Sequence, residues 1–195
     1  MKAIIGLGNP ESQYEGTRHN AGFEVVDNLN NLAGVGAGNF RRNSRLFAEI
    51  NQVTLFGTQV LLAKPVTYMN DSGKAALAIK QFYKIELKDF LIIHDDISLP
   101  LGKIRLQKDA GAGGQHGVES IIECLGGEKG FNRLKIGIGP DPGGHVRHDY
   151  VLQKFSVSDR VILDKVIEMA DKAISCWLTR GIDQAMNEFN GLDLR

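Results

Sequence analysis

Apolar and polar positions along this chain follow two rhythms, and the change from one to the other marks out its elements. Lys2-Ala-Ile-Ile-Gly-Leu-Gly8 is an apolar run too short for a helix and is ended by glycines, which predicts a buried strand followed by a tight turn. Phe90-Leu-Ile-Ile-His94 is a second such run, ending in His94-Asp95-Asp96, and Leu134 to Gly139 is a third. Leu46 to Val53 and Thr58 to Lys64 read as two strands joined at Phe56-Gly57, an antiparallel hairpin. Lys103 to Lys108 alternates cation and apolar residue, the pattern of a half-exposed strand.

Between these runs the period lengthens to that of a helix. Phe23, Val26, Leu29 and Leu32 share one face of a segment from Ala21 to Leu32 that Asn20 can cap. Ala75, Ile79 and Phe82 do the same from Asp71 or Ser72 to Tyr83, and a third helix is predicted from His116 to Leu125. A long helix from a Ser158 cap to Trp177 and a short one from Ile182 to Phe189 close the chain. Ala33 to Asn39, Ala110 to Gly114 and Pro140 to Tyr150 read as loops, the last a mobile one by its prolines and glycines. Strands alternating with helices predict an α/β fold: a single domain over residues 1–195, with a twisted mixed sheet flanked by helices and the C-terminal helices packed on one side.

Composition narrows the function. Lys plus Arg and Asp plus Glu both number 23, so any contact with nucleic acid must come from a local patch rather than a global field. Cys124 and Cys176 lie far apart and outside any metal-ligand spacing, which suits a reducing compartment. No apolar run approaches the roughly 18 residues of a membrane span, and the start of the chain lacks a signal peptide's apolar stretch. The expectation is a soluble, cytoplasmic globular protein.

Chemistry is concentrated at the ends of elements. Asn9 follows the first strand, His19 stands at the mouth of the first helix, Met69-Asn70 precede the second, and Asp95 follows the apolar strand. A histidine steered by a carboxylate is a general-base arrangement, and neutral amides can donate to a developing oxyanion. The chain has no Gly-x-Ser-x-Gly elbow, which favours an activated water over a covalent intermediate. Each residue alone also has a plainer reading: His19 as a helix-mouth cap, Asn9 as a turn residue, Asp95 or Asp96 as a loop cap.

Together these residues resemble the bacterial-type peptidyl-tRNA hydrolases. The resemblance rests on Ile5-Gly-Leu-Gly-Asn-Pro10 with Tyr14, Thr17-Arg-His-Asn-Ala-Gly22, Lys64-Pro-Val-Thr-Tyr-Met-Asn70 with Ser72-Gly73, His94-Asp95 with Leu99-Pro100, Gly113-Gly114, and Arg133 to Gly139. It implies a monomeric esterase without cofactor or metal, cleaving the ester between a nascent peptide and the tRNA 3′ ribose. It also implies roles: His19 as base, Asp95 as its partner, Asn9 beside the scissile ester, and Met69 and Asn70 lining the wall. Tyr14 and Tyr68 would shape the same cleft, and Lys103, Arg105, Lys108, Arg133 and Lys135 would meet the phosphates of the acceptor stem and 3′ end. Arg41, Arg42 and Arg45 form a second basic group.

The chain departs from the family pattern at Gln115-His116, where a His-Asn pair is usual. His116 is expected to stand in for the asparagine, holding water or substrate imperfectly and adding an ionisation near neutral pH. Three rival readings compete. A dinucleotide fold fails at Glu11, which replaces the third glycine. A metal-dependent hydrolase lacks a helical His pair. A catalytically weakened RNA-binding member has the altered pair as its only support.

Overall fold

The computed structural model describes residues 1–34 and 38–195; within the predicted glycine-rich loop 33–39, residues 35–37 lie outside the described set. Among the described residues the strands form one seven-stranded mixed sheet. In chain order they are β1 (Lys2–Gly6), β2 (Arg41–Asn43), β3 (Ala48–Leu55), β4 (Thr58–Pro65), β5 (Phe90–Pro100), β6 (Ile104–Lys108) and β7 (Asn132–Gly139). The helices are α1 (Ala21–Leu32), α2 (Ser72–Tyr83), α3 (His116–Cys124), α4 (Arg147–Val151), α5 (Val157–Arg180) and α6 (Ile182–Phe189). The sheet runs β2-β3-β4-β1-β5-β7-β6. The four central strands are parallel, and β3 and β4 form the predicted antiparallel hairpin.

The fully apolar runs are explained by burial on both faces. Ile4, Val60, Leu62, Leu91 and Ile93 point into one layer with Val25, Val26 and Leu29 of α1 and Val166, Ala170 and Trp177 of α5. Their sequence neighbours Ala3, Ile5, Leu61, Ala63, Phe90 and Ile92 point into the other, against α2 and α3. The C-terminal helices therefore pack on a single side, as expected.

Several local expectations are corrected. The apolar strand does not stop at His94: β5 continues to Pro100, so Asp95 and Asp96 lie within it. Glycines permit this, because a Cβ at Gly137 of β7 would stand 2.0 Å from the carbonyl oxygen of Pro100. The long helix begins at Val157, with Ser156 rather than Ser158 as its cap, the Ser156 hydroxyl accepting from the Asp159 N–H at 3.1 Å. The segment from Pro140 to Tyr150, expected as a mobile loop, becomes helical from Gly144 onward and is anchored by Tyr150, whose hydroxyl donates to the Ile138 carbonyl at 2.6 Å. The basic segment Phe40–Arg45 contains the edge strand β2, too short to show a period in sequence.

The glycines of the opening motif also act differently from expectation. Neither Gly6 nor Gly8 has a positive φ. Their role is close approach: a Cβ on Gly6 would meet the Gly22 carbonyl oxygen at 2.3 Å, and one on Gly22 would meet the Ile93 carbonyl oxygen at 2.4 Å. The two glycines let α1 lie directly on β1 and β5, which fixes the segment carrying His19.

Candidate active site

Strand β1 and its neighbour β5 part company at their carboxyl ends. From β1 the chain turns toward β2, β3 and β4, and from β5 it turns toward β6 and β7. In open α/β sheets such a reversal is the place where a crevice forms outside the strand ends. Asn9 enters it from the β1 side and Asp95 from β5. His19 arrives on a short 3-10 turn, Arg18–Asn20, just before α1.

That turn is held from three directions. Arg18 is buried; its backbone N–H donates to the Gln153 carbonyl at 3.0 Å and its guanidinium donates to the Lys154 carbonyl at 2.9 Å. The guanidinium also pairs with Asp159 at 3.2 Å and stacks on Tyr150 and Phe155, 4.4 and 5.2 Å from the ring centres. Asn20, expected to cap α1, makes no capping bond. Its amide turns to Asn9 instead, accepting from the Asn9 N–H at 2.9 Å and donating to the Asn9 carbonyl at 3.0 Å. The loop after β1 and the turn before α1 are thereby locked together.

Within this frame His19 Nδ1 lies 2.9 Å from Asp95 Oδ2. Asp95 is 3% exposed. Burial works against the imidazolium of His19, but the Asp95 charge and its hydrogen bond outweigh it and hold the pKa above the usual 6.5. With Nδ1 donating to the carboxylate, the lone pair lies on Nε2, which has no protein partner among the described residues. Asn9 is oriented in the same manner: its Oδ1 accepts from the Met69 N–H at 2.9 Å, so the free end of the amide is its donor, Nδ2. One open acceptor and one open donor are what a water nucleophile and an oxyanion require.

The expected wall is divided. Met69 is buried, whereas Asn70 is exposed. Tyr68 is exposed and donates its hydroxyl to Glu11; Tyr14 is half-buried and its carbonyl accepts from Thr17. His116 does not reach the dyad: it is exposed and lies 3.0 Å from Glu119, one turn along the same helix. The group that does reach it is Gln115, whose Nε2 donates to Asp95 Oδ1 at 3.0 Å. Of the altered pair it is thus Gln115, and not His116, that touches the dyad. Its signal was the position, since Gln115 directly precedes α3 and a side chain there is drawn to the free helix N–H groups.

A family model described as peptidyl-tRNA hydrolase matches residues 3–195. The chain belongs to the peptidyl-tRNA hydrolase family. The peptidyl-tRNA hydrolases of Elusimicrobium minutum and Carboxydothermus hydrogenoformans are each 46% identical to it over 190 residues, covering 97% of this chain and 99% and 98% of theirs. The crystal structure of peptidyl-tRNA hydrolase from Acinetobacter baumannii matches with a TM-score of 0.92 at 32% identity, covering 100% of this chain and 97% of that one.

The cations expected to meet phosphates lie on and beside β6 and β7. Arg133 is fully buried rather than on a wet face, and donates to the Gly111 carbonyl at 2.8 Å. It tethers the glycine-rich loop before α3 and has no surface to offer a phosphate. Lys135 pairs with Asp96 at 3.0 Å, Lys103 with Asp193 at 3.3 Å and Lys108 with Asp183 at 2.6 Å. Arg105, Arg41, Arg42 and Arg45 are exposed, and none of them forms an ion pair among the described residues. Among the described residues no three His, Cys, Asp or Glu side chains group closely enough to hold a metal ion, and no helix is long and apolar enough to cross a membrane.

Proposed function

We propose that the crevice carries out the family's reaction, hydrolysis of the ester joining a peptide to the tRNA 3′ ribose, with a water activated by His19. Nε2 takes the water's proton as the oxygen attacks the ester carbonyl, and Asp95 supports the imidazolium that forms. The Asn9 Nδ2 donates to the oxyanion of the tetrahedral intermediate. When that intermediate collapses, the imidazolium returns its proton to the departing ribose oxygen. The reading rests on one observation, the 2.9 Å contact between His19 and Asp95, with Asn9, whose amide donor is left free, tied by Asn20 to the turn that carries His19. Asn70, Tyr14 and Tyr68 border the peptidyl end, where neutral donors favour a blocked amide over a free ammonium.

The acceptor stem and 3′ end lie against Lys103, Arg105, Lys108 and Lys135, with the enzyme acting as a cytoplasmic monomer. Arg105 is available directly. Lys103 and Lys108 can trade their aspartates for phosphates, because exposed ion pairs of this kind hold by only about 0.2–1 kcal/mol. Arg41, Arg42 and Arg45 form a separate basic group at the opposite edge of the sheet. The test is acyl release from N-acetyl-aminoacyl-tRNA, measured beside the unacetylated ester and beside His19→Ala. Rapid release from the blocked ester alone, abolished in the variant, is the expected result; equal release by wild type and variant would refute it. KM should also rise with salt, each neutralised phosphate adding roughly 0.7–0.9 to the log–log slope.

A further inference from the structure

Asp95 is held at both ends. One carboxylate oxygen faces His19 Nδ1 at 2.9 Å and the other accepts from Gln115 Nε2 at 3.0 Å. The orientation of the Gln115 amide is not a matter of choice. Its Oε1 accepts from the Val118 N–H at 3.0 Å, capping the start of α3, so the nitrogen must turn toward the crevice. There it also lies 3.3 Å from Met69 Sδ. Space for this arrangement comes from Gly117, where a Cβ would stand 2.5 Å from Met69 Sδ and 3.0 Å from Gln115 Oε1. The start of α3, the Met69 wall and the dyad thus meet at one amide.

We propose that Gln115 is a positioning residue for the hydrolysis: clamped by the first turn of α3, it fixes the plane of the Asp95 carboxylate and through it the ring of His19. A carboxylate with one free oxygen can rotate about its terminal torsion, which is broad and shallow. Each rotation would carry the His19 bond away from the line along which Nε2 meets the water. A donor on the second oxygen removes that freedom. An amide also does so at every pH, because it neither gains nor loses a proton in the working range.

This inference rests on the reading of His19 and Asp95 as the catalytic pair, and the test separates the two. Gln115→Asn is the decisive variant. Asparagine is a preferred helix cap, so the bond to Val118 is kept, but its side chain is one methylene too short to reach Asp95. Gln115→Met removes both bonds while conserving the shape of the side chain. Each is made in wild type and in Asp95→Asn, and kcat, KM and the urea midpoint are measured with N-acetyl-aminoacyl-tRNA. The expected result is a fall in kcat of about tenfold for Gln115→Asn, the scale of one hydrogen bond to a charged group. KM and the urea midpoint should stay close to wild type, and the change should have no further effect once Asp95 is replaced. A kcat within about twofold of wild type, or an equal loss in both backgrounds, overturns the role of Gln115. If Asp95→Asn is itself fully active, the catalytic pair fails instead, and this inference fails with it.

Discussion

Two histidines sit against the same aspartate and are driven in opposite directions. His19 approaches from the turn before α1 and bonds to the Asp95 carboxylate; His94, the preceding residue in β5, donates from Nδ1 to the Asp95 backbone carbonyl at 2.7 Å. The alternation of a strand separates them. Asp95 shares a face with Leu91 and Ile93, on the α1 side, while His94 shares the other with Phe90 and Ile92 beneath α2 and α3. His94 is 1% exposed and its Nε2 has no hydrogen-bond partner among the described residues. Burial there is opposed only by a backbone carbonyl and a misdirected charge, and the pKa falls to about 4. At His19 the full carboxylate faces the ring and the pKa rises above 6.5. Proximity to a carboxylate is not enough to make a base; the ring must meet the charge itself and keep its other nitrogen open.

The largest break in this comparison is His19→Ala. Losing a general base costs about 10²–10⁴ in rate, and kcat for N-acetyl-aminoacyl-tRNA should fall within that range. Next is Asp95→Asn, which keeps the shape but removes the charge. In the proposed mechanism neutral His19 is the active form, so activity should be lost as pH falls through its pKa, and the acid limb in wild type should lie above pH 6.5. The variant should be slower, and its acid limb in kcat/KM should move to lower pH. A limb that stays in place would mean that another group sets it.

His94 gives the opposite sign in stability rather than rate. Its folded pKa is below its unfolded value, so the unfolded chain binds the extra proton between about pH 6.5 and 4. At about 1.4 kcal/mol per pH unit, about 3 kcal/mol of stability disappears across that interval, and all of it is present above pH 6.5. His94→Leu should remove most of this acid sensitivity in urea unfolding. It should cost about 1 kcal/mol at neutral pH for the lost bond to the Asp95 carbonyl, leaving the acid limb of activity unmoved. The smallest effect belongs to His19 in the same experiment. Its raised pKa adds stability that is fully present below pH 6.5 and fades as pH rises through the folded value. Asp95→Asn should flatten that shallow decline.

The elements and most of the site were legible in the sequence because they depend on local constraint. A short run such as Phe90–Ile93 can satisfy its side chains only as a strand covered on both faces, and Val26 and Leu29 only on a helix laid on it. The buried face of that helix is completed by Ala21 and Val25 rather than by Phe23 and Leu32, Leu32 being exposed. His19 and Asn9 could be picked out because they stand where such elements end, and Asp95 because it closes the apolar run of β5, although the strand itself continues to Pro100. The partners of the amides were decided only by the tertiary structure. Asn20 lies beside a helix start in sequence and yet bonds to Asn9, and Asn9 is oriented by Met69, 60 residues away. Gln115 rather than His116 meets Asp95, and Arg133 is buried among cations that reach solvent. An amide or a guanidinium has several equivalent ways to satisfy itself locally. Which one it takes is set by the single arrangement in which every buried polar group nearby is satisfied together, and that arrangement exists only after the sheet has brought distant residues into contact.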